Sequence, residues 1–149
     1  MQITFLGTSS GAPSRTRNVS SIALHFAQQS RLWLFDCGEA TQQQLLHTSL
    51  RLSQLEHIFL THLHGDHLSG LPGLLASRSL QIDQATPVTL YGPHGLADFI
   101  RSALTASQTW LSYPLHIETV EPEVVYTDAT VQVVAAPLHH GITTFGYSV

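Results

Sequence analysis

Seven consecutive residues constrain this chain more than any other stretch: Thr61-His62-Leu63-His64-Gly65-Asp66-His67. Three imidazoles and a carboxylate fall within six positions, after the apolar run His57-Ile58-Phe59-Leu60 and before the Gly- and Leu-rich segment Leu68 to Ala76. Imidazole nitrogen and carboxylate oxygen are the ligands zinc takes when a coordination position is to stay open for chemistry. Spacing then dictates conformation. Residues i and i+2 diverge on a helix but share a side of extended chain. His62 and His64 can therefore grip one ion only from a strand end or loop, which Gly65 also favours. Asp66 and His67 turn away together, toward a second ion beside the first. The stretch reads as a two-metal hydrolytic site at a junction of strand, loop and helix. A lone buried histidine is more often a hydrogen-bonded core residue, and His57, on the strand side, is expected to be one. Four ligand-type side chains crowded at one strand end are a different matter, because desolvating them without a shared partner is costly.

The 149 residues suffice for one domain with its own core. With 43% hydrophobic and 11% charged residues, the composition lies outside the disordered regime. No apolar run reaches the length of a bilayer span, and Met1 to Phe5 lacks the basic start of a secretory signal. The single cysteine, Cys37, excludes an internal disulfide and suits a reducing compartment, so a cytoplasmic location is expected. All six basic residues are arginines and the net charge is −4. That balance argues against a general nucleic-acid surface and leaves room only for a local patch, such as Arg15 with Arg17.

Alternation and punctuation place strands at Gln2–Leu6, Ser21–Phe26, Arg31–Phe35, Leu55–Leu60, Val88–Tyr91, Leu115–Val120, Val124–Tyr126, Thr130–Ala135 and Thr144–Val149. Helices are expected from Ala40 to His47, from His67 to Ser79, and from Gly95 to about Thr105. The last has Leu96, Phe99, Ile100, Ala103 and Leu104 on one face. Gly7 to Ser14 reads as a loop that carries Arg15 and Arg17 toward the site; it lacks the Gly-Lys-Ser/Thr ending of a phosphate-binding loop. Asp36, at a strand end, is either structural, bonding backbone groups or a nearby His, or a carboxylate that orients a metal-bound imidazole. The class is mixed α and β.

With these residues placed, the chain resembles the N-terminal half of the ribonuclease Z family, the tRNA 3′-processing branch of the metallo-β-lactamase superfamily. Phe5-Leu6-Gly7-Thr8 with Arg17-Asn18-Val19-Ser20-Ser21 is similar to the family's opening block. Leu34-Phe35-Asp36-Cys37-Gly38-Glu39-Ala40-Thr41-Gln42 is similar to the second block, where the family usually has Gly in place of Ala40. Pro137-Leu138-His139-His140 with Phe145-Gly146-Tyr147 resembles its third-ligand segment. The Thr61–His67 signature identifies the superfamily; the other blocks are more specific.

The resemblance implies half of an αββα sandwich: a mixed sheet with the helices from Ala40, His67 and Gly95 on one face, in a single (half-)domain over 1–149. It implies that His62, His64 and His140 hold a first zinc, with His139 a neighbour, and that Asp66 and His67 hold a second. Asp66 is the implied proton acceptor, and the reaction is hydrolysis of a precursor-tRNA phosphodiester by metal-activated water. Two zinc ions are implied for a complete site. The family's bridging Asp, last zinc-binding His, catalytic His motif and tRNA-gripping arm belong to a second half absent from these residues. A bare apolar sheet face, and hence a homodimer or pairing with that half, is therefore expected, with one zinc or none held firmly. No DNA or membrane partner is expected. Two other readings stand beside this one: another hydrolase of the superfamily (lactonase, thioesterase or sulfatase type), and a non-catalytic zinc-binding half-domain. The Asn18–Ser21 and Gly38-Glu39 blocks favour the first reading over a different hydrolase.

Overall fold

Along Arg31-Leu32-Trp33-Leu34-Phe35 the leucines point to one side and the aromatic rings to the other, and the architecture follows from that division. The computed structural model describes residues 1–81 and 86–149. Its first sheet has six strands in sequence order: β1 (Gln2–Gly7), β2 (Ser21–Phe26), β3 (Arg31–Phe35), β4 (Leu55–Phe59), β5 (Val88–Gly92) and β6 (Leu115–Thr119). β1–β2 and β2–β3 are antiparallel, whereas β3 to β6 run parallel. Parallel neighbours need crossovers, and these contain α1 (Thr41–Leu45), the pair α2 (Gly65–Leu68) and α3 (Leu71–Gln81), and α4 (Leu96–Ala106).

These helices lie on one face, as expected of those from Ala40, His67 and Gly95. Leu45, Leu68, Leu71, Leu74, Leu75, Leu96 and Ile100 pack there against Leu32, Leu34, Ile58 and Leu90 of the sheet. Burying each such side chain contributes about 1.5–3 kcal/mol, which is why the amphipathic stripes decide where the helices sit. Phe99, expected on the apolar face of α4, is instead 37% exposed. Beneath α3, the fully buried Arg78 donates to the carbonyls of Leu52, Leu55 and Thr86 and stacks on Tyr113.

The opposite face differs from expectation. A second, antiparallel sheet of β7 (Glu123–Thr127), β8 (Gln132–Pro137) and β9 (Phe145–Ser148) lies over it. Trp33, Phe59 and Tyr91 of the first sheet and Val133, Ala135 and Phe145 of the second form one buried cluster. The apolar face is therefore covered over much of its width. What stays open is the β1 end, where Ile3 is 56% and Phe5 66% exposed.

The single helix expected over His67–Ser79 is broken at Ser69-Gly70, and a close approach explains the break. Gly70 N–H donates to the Cys37 carbonyl at 2.9 Å, and a Cβ on Gly70 would collide with the Gly38 carbonyl. α1 ends at Leu45 rather than His47. Ala40, in the position where Gly is usual, has φ of 59°. That left-handed geometry costs a non-glycine residue about 1–2 kcal/mol.

Candidate metal centre

Parallel strands leave their C-terminal ends together, and the residues that follow β3 and β4 meet there. The chain leaves β4 at Leu60-Thr61 and stays extended through His64 (ψ 147°) before turning into α2. His62 and His64 thus share a side, while Asp66 and His67 sit on the short helix. The loop from β8 to β9 brings in the remaining histidine; its exit is pinned by Phe145 N–H donating to the Thr61 carbonyl and by the Tyr147 hydroxyl donating to the Leu60 carbonyl. His62, His64 and His140 each offer a ligand atom, and these atoms lie within 4.8 Å of one another. Among the described residues this is the one such grouping of three or more ligand-type side chains.

The donor set fits a zinc-type ion. Nε2 of His140 and Nδ1 of His64 face each other at 3.3 Å, and the rings of His62 and His140 are 4.8 Å apart. No carboxylate lies among the three, so a cation is the natural common partner for converging imidazole lone pairs. His62 is buried whereas His64 and His140 are exposed, so the site has a closed back and an open front. It lines a cleft of about 500 Å³ together with Ser10, Gly11, Asp66, His67, His139 and Thr144.

Beside the three imidazoles, His67 Nε2 is 3.3 Å from Asp66 Oδ2, and the His67 and His62 rings are 4.0 Å apart. The structure therefore brings together all five of the residues expected as metal ligands. The grouping within reach of a single ion holds three of them, and Asp66 and His67 form a separate pair. His139, exposed on the rim, lines the same cleft. His57 stays apart, among Trp33, Tyr91 and Tyr126, and its Nδ1 has no hydrogen-bond partner. It is half-buried between the sheets, and the hydrogen bond expected of a core histidine is not made at that nitrogen. His116 lies on β6, away from the cluster.

Asp36 bonds both the backbone and a nearby imidazole. Its Oδ1 accepts from Thr61 N–H at 2.8 Å, and its Oδ2 accepts from His67 Nδ1 at 2.7 Å. The Thr61 hydroxyl lies 3.0 Å from both Asp36 oxygens and 2.9 Å from His62 Nδ1. Burial disfavours the His67 imidazolium, but the hydrogen bond to Asp36 and its charge outweigh burial and the basicity rises. His62 moves the other way, depressed first by burial and then by the neighbouring His67.

The sequence reading missed two contributors. Thr61 is one. The other is Gly11, whose N–H donates to Asp66 Oδ2 at 2.7 Å across 55 residues. Burial works to raise the Asp66 carboxyl, but the Gly11 hydrogen bond and the charge of His67 hold it below its ordinary range. The φ of 71° at Gly11 is a hint legible only after folding. The first two sequence blocks meet nearby, with Asn18 Nδ2 donating to the Glu39 carbonyl and Gly38 N–H to that of Ser20.

Among the described residues, no helix is long and apolar enough to cross a membrane. The family model described as "Anti-Pycsar protein Apyc1" matches residues 1–135. Ribonuclease Z from Nostoc sp. is 56% identical over 149 residues, which is 100% of this chain and 46% of that protein. Ribonuclease Z from Geobacillus kaustophilus is 50% identical over 150 residues, covering 100% of this chain and 48% of its own length. The chain thus spans about half the length of the curated relatives it matches. The crystal structure of human tRNase Z, short form, superposes with a TM-score of 0.91 at 38% identity, over 99% of this chain and 62% of that one. The metallo-β-lactamase fold protein YhfI from Bacillus subtilis superposes at 0.76 with 17% identity, over 97% of this chain and 56% of that one, a likeness of fold alone. Along its whole length the chain is homologous to ribonuclease Z and carries the fold of half a metallo-β-lactamase sandwich. It belongs to the family described as Anti-Pycsar protein Apyc1.

Proposed function

We propose that this chain supplies the metal-binding half of a zinc-dependent endoribonuclease that removes the 3′ trailer from precursor tRNA. The observation that carries this reading is the convergence of His62, His64 and His140 beside the Asp66–His67 pair. The 56% identity to ribonuclease Z from Nostoc sp. supports it. In this reading His62, His64 and His140 hold a first zinc, and Asp66 and His67 contribute to a second. Zinc bound there supplies a Lewis acid that acidifies water and offsets the charge of the phosphate. The chain's own groups do the rest. Asp66, with one oxygen held by the Gly11 amide, is the proton acceptor, and Asp36 keeps the imidazoles oriented. Arg15 and Arg17 are exposed on the loop that contains Gly11, and they meet the RNA phosphates. The second ion has two donors here, fewer than the three protein ligands usual for catalytic zinc, so it is held weakly by these residues alone. The exposed Ile3 and Phe5 support pairing with further polypeptide, in a cytoplasmic homodimer or with the remainder of a longer enzyme. The name of the matching family offers a second reading, an anti-Pycsar protein; the identity to ribonuclease Z favours the first.

The test combines elemental analysis of the purified chain with turnover of a simple phosphodiester and of precursor tRNA. The expected result is about one firmly held zinc per chain and very weak turnover. Adding the second half of a ribonuclease Z should restore cleavage, and Asp66→Ala should abolish that gain. His64→Ala should remove most of the zinc affinity, whereas His57→Ala and His116→Ala should change it little. If the three substitutions behave alike, the ligand assignment is wrong. Zinc content without turnover, even after the other half is added, would favour a non-catalytic zinc-binding domain.

A further inference from the structure

We propose that Thr61 is a positioning residue: its hydroxyl relays the Asp36 carboxylate to His62 and so fixes which nitrogen of that imidazole is free to bind metal. The inference rests on the metal reading above. A hydroxyl has one proton to donate and two lone pairs, and an ionised carboxylate only accepts. The Thr61 hydroxyl lies 3.0 Å from both oxygens of Asp36, so its proton goes to the carboxylate. Toward His62 Nδ1, 2.9 Å away, the same oxygen is therefore an acceptor. Nδ1 of His62 must carry the proton, and Nε2 keeps its lone pair. The opposite assignment would set the Thr61 oxygen against a carboxylate with no proton between them, in a partly buried place; fully buried, such an unmade hydrogen bond costs about 1–3 kcal/mol.

The same carboxylate reaches His67 without an intermediary. Nδ1 of His67 donates to Asp36 Oδ2 at 2.7 Å, which leaves Nε2 of His67 beside Asp66. One buried carboxylate thus orients an imidazole in each of the two groups, directly for His67 and through a hydroxyl for His62. That asymmetry gives the relay its own signature: removing the hydroxyl should release His62 and leave His67 as it was.

The experiment reads the tautomers of His62 and His67 by long-range nitrogen-15 NMR in the metal-free chain. It also measures zinc affinity by chelator competition, for the wild type, Thr61→Val and Thr61→Ser. Expected are the Nδ1–H form of His62 and a protonated Nδ1 at His67 in the wild type, and a mixture at His62 alone in Thr61→Val. Zinc affinity in that variant should fall about 10- to 100-fold, the usual loss when an outer hydrogen-bond partner of a ligand is removed. Thr61→Ser, which keeps the hydroxyl, should restore both. An Nε2–H form of His62 in the wild type would overturn the proposal. So would a Thr61→Val chain with unchanged tautomer and affinity. Should Thr61→Val not fold, the wild-type tautomer and the affinity of Thr61→Ser decide instead, and a serine variant with weakened zinc binding would count against the relay. A wild-type chain that binds no zinc but shows the Nδ1–H form would overturn the metal reading and leave the relay standing.

Discussion

The layer between the two sheets gathers histidines, charges and hydroxyls at both ends, and the two gatherings differ in what satisfies them. At the N-terminal ends of β3 and β4, Arg31 donates to Glu56 at 2.6 Å and to Asp128 at 2.8 Å, and also to the Tyr126 hydroxyl. The guanidinium sits against the rings of Phe26 and Trp33. Charges of both signs are present, and each has its partner within the chain. At the C-terminal ends, imidazoles and carboxylates converge without a single arginine among the residues lining the cleft. There His140 Nε2 and His64 Nδ1 lie 3.3 Å apart, and no carboxylate stands among the three grouped imidazoles. The first end behaves as a clamp between sheets; the second presents three imidazoles within reach of a single metal ion. The presence of histidines therefore does not mark a site.

The largest effect should come from the wall the two ends share. Trp33 is fully buried against Phe26, His57, Phe59 and Tyr126. Trp33→Ala should cost about 3–5 kcal/mol in urea unfolding. A loss of that size confined to one sheet would show that the second sheet is held by something other than this cluster.

A smaller loss is expected at the clamp. Arg31→Met should lower the thermal midpoint by a few degrees, because Glu56 and Asp128 lose their shared cation. Zinc affinity should stay at the wild-type value. If affinity falls as well, the two ends are coupled and their contrast breaks down.

The smallest effect concerns pH. Burial pushes the His57 imidazolium down to about 4, from an ordinary value of 6.5. Above pH 6.5 the ring is neutral in both folded and unfolded chains. As pH falls toward 4, only the unfolded chain takes up the proton, so this contribution to stability is progressively lost. His57→Phe should flatten that part of the stability profile, measured as thermal midpoint against pH. An unchanged slope would mean that another group supplies it.

The metal end was legible in the sequence to the extent that its geometry is local. His62, His64, Asp66 and His67 could be sorted into two pairs because the i, i+2 rule applies to one short extended stretch. His140 is 76 residues from its neighbour His64, and only the resemblance in the Pro137–Tyr147 segment pointed to it. Thr61 and Gly11 have no role legible in the sequence, since a hydroxyl contact or a backbone amide leaves no mark in residue type. The Gly95 helix was legible from its apolar stripe. The break at Gly70 was not, because its cause is the distant Gly38 backbone. Strands β7 to β9 were likewise recognised, yet alternation says only that one face is buried, not which sheet it covers.

The third imidazole is where the assignment of the metal centre can be tested most sharply, because two histidines stand side by side. His140 reaches His64 and His62, whereas its neighbour His139 lines the rim of the cleft. The decisive measurement is the zinc dissociation constant of His140→Ala and of His139→Ala, obtained by chelator competition beside the wild type. The expected result is a loss for His140→Ala greater than the roughly 10- to 100-fold typical of an outer-shell partner, with His139→Ala close to wild type. The reverse order, or equal losses in both variants, would contradict a metal centre built from His62, His64 and His140.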